Sequence, residues 1–154
     1  MNAEQAAANK RLIRQKIIQL LAMREHSVLE IQQKCQKKFA PEQLQDLDLI
    51  IAAYLERGLI SEQRFTEDYI RMRRRKGYGP TRLRQELQQR GINNQLIDQH
   101  LYAISNEAWQ QQIDQILLKK FGSSEPDQNY KKQAKRAQFI QYRGFSVNYL
   151  CRFN

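Results

Sequence analysis

Apolar residues recur at helical spacing along almost the whole chain, and the recurrence itself repeats, which limits the possible folds more than any other feature. Ile13, Ile17, Leu20 and Leu21 fall on one side of a helix of about 3.6 residues per turn. A shift of 52 residues sets Ile13, Ile17 and Leu20 on Phe65, Tyr69 and Met72, and Ile31, Cys35 and Leu44 on Leu83, Leu87 and Leu96. A third copy opens with Trp109, Ile113, Ile116 and Leu117. Near its end Arg143-Gly144-Phe145 answers Arg90-Gly91-Ile92, with Ile140 in the place of Leu87 and Leu150 in that of Ile97. No strand signal interrupts the pattern. The spacing predicts an all-α protein of three tandem three-helix (helix-turn-helix-like) repeats: residues 10–60, residues 61–105 with a basic corner, and residues 106–154. Units of this kind bury surface mainly against their neighbours, so an elongated, curved array is expected.

Helix punctuation supports these boundaries. Ser27 followed by Glu30 is a capping box, opening a helix that buries Ile31 and Cys35 and closes at Phe39. Pro41 suits the first turn of a third helix, on which Leu44, Leu47, Ile51 and Tyr54 line one face until Gly58. Ser61 caps the next helix, Gly79-Pro80 opens another, and Gly91 ends it. Gly122 to Pro126 forms a longer loop, after which Asp127 is the expected cap.

The chain has 154 residues and a net charge of +10, with 41% apolar and 27% charged residues. A mean hydropathy of -0.78 means that much of each helix must face water. The N-terminal stretch lacks the apolar core of a secretory signal, and no run is long enough to span a bilayer, so a cytoplasmic protein that does not enter membranes is expected. Cys35 and Cys151, too few for a disulfide framework, are read as free thiols.

A pI near 9.8 favours encounter with polyanions. The charge is also segregated: an acidic stretch from Glu42 to Asp68 gives way at once to Arg71, Arg73, Arg74, Arg75, Lys76, Arg82, Arg84 and Arg90. Solvated helix faces and compensation of helix dipoles explain one or two such arginines, but not this density. On a helical wheel that clusters Phe65, Tyr69 and Met72, Arg71 and Arg74 lie on the far side, with Arg73 and Arg75 on the flanks. Arg82 and Arg84 flank the Leu83 stripe, and Arg82 has Glu86 as an alternative partner. Tyr78, between two glycines, is placed either to stack on a base or peptide or to pack across the turn. A second basic group, Lys131, Lys132, Lys135, Arg136 and Arg143, is read as the outer face of a helix whose inner side carries Tyr130, Ala134, Ala137 and Ile140. Phe139 falls on the basic side and is read as packing.

Catalysis has no visible seat. His26 and His100 are far apart, His26 beside the capping serine and His100 on a polar flank, and neither has cysteine or carboxylate at ligand spacing. Gly77-Tyr-Gly-Pro80 lacks the lysine and hydroxyl of a phosphate loop. A binding protein is expected, not an enzyme, with no cofactor and no metal.

The segments Ser61-Glu-Gln-Arg-Phe65, Lys76-Gly-Tyr-Gly-Pro80, Arg84-Gln-Glu-Leu87, Arg90-Gly-Ile92, Lys119-Lys-Phe121 and Arg143-Gly-Phe145, in this order and spacing, resemble the RecX family of bacterial recombination regulators. The resemblance covers nearly the whole chain. It implies a monomeric modulator of the RecA recombinase that lies in the groove of the RecA filament on single- or double-stranded DNA and inhibits ATP hydrolysis and strand exchange. Two other readings stand beside it: a sequence-specific helix-turn-helix regulator using Gln85, Gln88 and Gln89, and a protein scaffold without DNA contact.

Overall fold

The computed structural model of the chain describes residues 2–149. Leu150, Cys151 and Phe153, which bear on the last predicted helix, lie outside these residues. The described residues form α-helices and short 3-10 turns and contain no strand. The helices are α1 (Ala3–Met23), α2 (Val28–Lys38), α3 (Leu47–Glu56), α4 (Glu62–Arg75), α5 (Pro80–Gln89), α6 (Asn94–Tyr102), α7 (Asn106–Phe121) and α8 (Tyr130–Tyr142). Two units divide them: Met1–Asp68 with Arg90–Ile92, and Tyr69–Gln89 with Asn93–Asn154.

In the first unit, α1 turns Ile13 and Ile17 onto Ile31 and Cys35 of α2 and onto Leu47, Ile50, Ile51 and Tyr54 of α3. Each fully buried aliphatic side chain contributes about 1.5–3 kcal/mol. Truncating a central one such as Ile31, which has no exposure, removes that and leaves a void, about 2–5 kcal/mol in all. The predicted capping box is present: the Glu30 amide donates to Ser27 Oγ at 3.2 Å, and the Ser27 amide to Glu30 Oε1 at 3.1 Å. Pro41 opens a 3-10 turn, Pro41–Leu44, and the helix proper begins only at Leu47. Gln43 Oε1 accepts the Ala40 amide at 2.9 Å, closing that turn locally. His26, expected as a turn residue, is buried, with Nδ1 at 3.0 Å from the Arg24 carbonyl and Nε2 at 2.9 Å from Lys34 Nζ.

In the second unit, Leu83 and Leu87 of α5, Ile97 and Leu101 of α6, Trp109, Ile113 and Leu117 of α7, and Ile140 with Phe145 are buried. Two helix faces and one cap differ from the expectation here. On α4 the buried residues are Phe65, Thr66, Tyr69 and Ile70, while Met72 is 43% exposed. The stripe rotates because Thr66 satisfies its own hydroxyl by donating to the Glu62 carbonyl at 2.7 Å and so can be buried, and because Ile70 joins it. On α8 the inner side holds Arg136 and Ile140, whereas Tyr130 and Ala134 are exposed. The cap of α8 is Asn129, whose side chain accepts the Lys131 and Lys132 amides, and Asp127 stands one step back, accepting the Asn129 amide at 2.8 Å.

Candidate functional site

The basic corner lies in the second unit, where α4 ends in Arg73, Arg74 and Arg75 and Lys76-Gly77-Tyr78-Gly79 leads into α5. The rotation of α4 decides which arginines face inward. Arg73 and Arg74 follow Tyr69 and Ile70 by one turn and are half-buried, while Arg71, Arg75 and Lys76 are exposed.

Arg73 and Arg82 converge on one carboxylate. Glu86 accepts from Arg73 Nη2 at 2.7 Å and Nε at 3.0 Å, from Arg82 Nε at 3.3 Å and from the Tyr69 hydroxyl at 2.6 Å. Burial pushes the Glu86 carboxyl up, but the hydrogen bonds from Arg73 and Tyr69 outweigh it and hold the group below its ordinary range. Tyr78 lies beneath this cluster, its ring 3.9 Å from the Arg73 guanidinium carbon, 4.4 Å from that of Arg82 and 5.1 Å from that of Arg143. Tyr78 thus packs across the turn, one of the two roles expected of it.

Arg74 points the other way. Its Nε donates to Gln112 Oε1 at 3.1 Å, its guanidinium lies 4.8 Å from the Trp109 ring, and burial draws its pKa down. Gln112 in turn donates to the Tyr78 carbonyl at 2.9 Å, which ties α7 to the corner. The turn after α8 closes the arrangement: the Gly79 amide donates to the Arg143 carbonyl at 2.7 Å, the Thr81 amide to the Gly144 carbonyl at 3.0 Å, and Arg143 Nη1 to the Lys76 carbonyl at 2.8 Å. Arg84 pairs with Asp98. On α8, Lys131, Lys132 and Lys135 are exposed as expected, but Arg136 donates to the Ser123 carbonyl at 2.8 Å under the Phe121 ring. Phe139 packs edge-on against Phe121 at 5.6 Å.

The predicted residues therefore separate by role. Arg73, Arg74, Arg82, Arg84, Arg136 and Tyr78 are engaged within the chain, Arg71 is exposed, and Arg75, Lys76, Lys131, Lys132 and Lys135 present charge to solvent. Sequence reasoning left out Lys119 and Lys120, which join Arg74, Arg75, Lys76 and Arg143 around a cleft of about 370 Å3. Their signal was available, because Gln112, Ile116, Lys119 and Lys120 follow one another at helical spacing on α7. Among the described residues no group of histidine, cysteine or acidic side chains could hold a metal ion, and no helix is long and apolar enough to cross a membrane.

Known proteins share this fold. A family model described as "RecX, second three-helix domain" matches residues 61–101, and one described as "RecX, third three-helix domain" matches residues 107–148. Regulatory protein RecX of Pseudomonas entomophila is 36% identical over 140 residues, 91% of this chain and 88% of that protein. Regulatory protein RecX of Ectopseudomonas mendocina is 35% identical over 144 residues, 94% of this chain and 93% of its own. A crystal structure of regulatory protein RecX superposes with a TM-score of 0.80 at 21% identity, covering 96% of this chain and 72% of the other. The crystal structure of RecX from Lactobacillus salivarius gives 0.74 at 15% identity, covering 97% and 94%. The shared fold, the two matched helical domains and this identity along nearly the full length lead to one conclusion: the chain belongs to the RecX family of regulatory proteins.

Proposed function

We propose that this chain is a negative regulator of RecA-mediated recombination and DNA repair in the cytoplasm, acting by binding and not by catalysis. It binds in the groove of the RecA–DNA filament and hinders the conformational cycle that ATP hydrolysis and strand exchange require. One observation carries the reading beyond family membership. Arg75, Lys76, Lys131, Lys132 and Lys135 are exposed and form no ion pair with a carboxylate among the described residues. Cations left in this state attract acidic protein surface and nucleic-acid phosphate, and their effect falls with salt.

The structure also selects the residues for the test. Arg74 is held by Gln112 and Trp109, so reversing it disturbs the fold, whereas Arg75 and Lys76 can be changed without touching an internal contact of their charged groups. The Arg75→Glu/Lys76→Glu double variant should need roughly tenfold more protein for half-inhibition of RecA ATPase on single-stranded DNA. Unchanged inhibition would remove this corner from the contact. If DNA phosphates are engaged, apparent affinity should fall with log salt at about -0.7 per single-strand phosphate neutralised.

A helix-turn-helix regulator reading bases through Gln85, Gln88 and Gln89, which are exposed, would instead bind one duplex sequence far above random DNA without RecA.

A further inference from the structure

The corner divides its cations unevenly. On one side Arg73 and Arg82 share the Glu86 carboxylate. On the other, the C-terminal turns of α4 and α7 and the residue after α8 enclose a cleft of about 370 Å3 bearing Arg74, Arg75, Lys76, Lys119, Lys120 and Arg143, with no acidic residue in its lining. Compensation of two helix dipoles accounts for part of this charge, worth about 0.3–1 kcal/mol per cation, but does not explain why six converge on one hollow.

The hollow is also built. Arg74 is oriented by Gln112, and Arg143 by the Lys76 carbonyl, so two cations are fixed while Arg75, Lys76, Lys119 and Lys120 are exposed at the rim. Gly77 keeps the space open: at its φ of +91, a Cβ would lie 2.9 Å from Arg143 Nη1 and 2.9 Å from Ile116 Cγ2. Ile116 and Phe139 supply an apolar wall. The volume falls in the range of small-molecule sites, about 300–1,000 Å3.

We propose that this cleft binds a clustered oligophosphate, a triphosphate group carried on a nucleoside or present as inorganic tripolyphosphate. The charge density is the reason. A nucleic-acid strand brings one charge per nucleotide, every ~3.4 Å of axis in a duplex, with sugars holding the phosphates apart. A triphosphate places its charges on adjoining phosphorus centres, which matches six cations around one hollow. Guanidinium groups held in fixed orientation contribute charge-assisted hydrogen bonds, and the rim lysines close over the ligand as point charges.

The test is calorimetric titration of the full chain, without recombinase, at one fixed ionic strength. The titrants are tripolyphosphate, ATP, orthophosphate and a short single-stranded oligonucleotide of the same total charge. One-to-one saturation by tripolyphosphate and ATP, about tenfold or more tighter than orthophosphate and the oligonucleotide, is expected. The Lys119→Ala/Lys120→Ala variant should bind about tenfold more weakly, while Lys131→Ala/Lys132→Ala, which removes equal charge from the face of α8, should stay within about twofold. Thermal melts of both variants should match the parent. Equal affinities for ATP and tripolyphosphate assign the inorganic source, and tighter ATP binding that Phe139→Ala abolishes assigns the nucleoside. Affinity no better than orthophosphate, equal losses in both lysine variants, or tighter binding of the oligonucleotide would overturn the proposal. Because RecA is absent, any of these failures leaves the regulatory reading standing.

Discussion

Two glycine turns, one repeat apart, make the same backbone move and are received differently. Gly91 sits against the side chain of Leu29 near the start of α2, where its Cβ, if it had one, would lie 2.9 Å from Leu29 Cβ. Gly144 sits against Arg82 near the start of α5, where a Cβ would lie 2.5 Å from Arg82 Cβ and 2.7 Å from its backbone nitrogen. The difference lies in how each receiving helix begins. α2 carries its own cap in Ser27 and Glu30, and the arriving turn brings Arg90 Nε to 4.0 Å from Glu30 Oε2 without donating to the backbone there. α5 begins after Gly79, which has no side chain to cap with, and the Gly79 and Thr81 amides are satisfied by the Arg143 and Gly144 carbonyls. A capping side chain could not be added, since a Cβ on Gly79 would lie 2.7 Å from the Gly144 carbonyl oxygen. A helix start left without a local cap has thus been completed by a segment far along the chain, and the second joint holds both packing and hydrogen bonds that the first keeps separate.

The contrast can be broken most sharply at the glycines. Gly144→Ala meets backbone atoms at a φ of +95 and should cost about 3 kcal/mol or more, whereas Gly91→Ala meets only a side chain and should cost about 1–2 kcal/mol. Urea denaturation followed by circular dichroism measures both, and equal losses would mean that the two joints are mechanically alike. Next in size is Glu86→Gln, which leaves Arg73, Arg82 and Tyr69 around a neutral amide. A loss of about 2 kcal/mol is expected, larger than any from an exposed pair such as Lys10–Asp46.

The smallest effect is one of acid. Burial holds His26, beside the first joint, below its ordinary 6.5, and the nearby Arg24 and Lys34 charges act in the same direction. The neutral form is therefore the one the fold stabilises: its contribution is complete above about pH 6.5 and is lost as pH falls through the lowered value. Glu86, held below its ordinary 4.5, keeps the second joint intact until more acid conditions. Between these two ranges a loss on the order of 1 kcal/mol or less should appear in thermal melts, and His26→Gln should abolish it. A chain whose stability is flat from pH 7 to about 5 would contradict this assignment.

Local signals were legible in the sequence and distant ones were not. Ser27 with Glu30, Ser61 before α4 and the breaks at Gly58 and Gly91 act over one turn of chain, so spacing alone places them. The faces of α4 and α8 were misjudged because a wheel assigns every cation to solvent. Arg136 is buried where a carbonyl and an aromatic ring receive it, and Arg73 where Glu86 does. Those partners come from other elements, and periodicity carries no information about them. The basic corner was visible as composition, but its division into a side that shares one carboxylate and an open cleft depends on α7 and α8 meeting α4.

The chain has a single tryptophan, and its placement affects how the molecule can be watched. Trp109 lies in the second unit, with Arg74 over its ring at 4.8 Å and Phe145 edge-on at 6.0 Å. Indole fluorescence excited selectively is therefore a report from that unit alone, set by a guanidinium of the basic corner and a phenyl ring next to Gly144. The half that contains Gly91 is optically dark at those wavelengths, so any offset between an emission trace and an amide-region trace, which sums both units, would mark the two joints failing at different points.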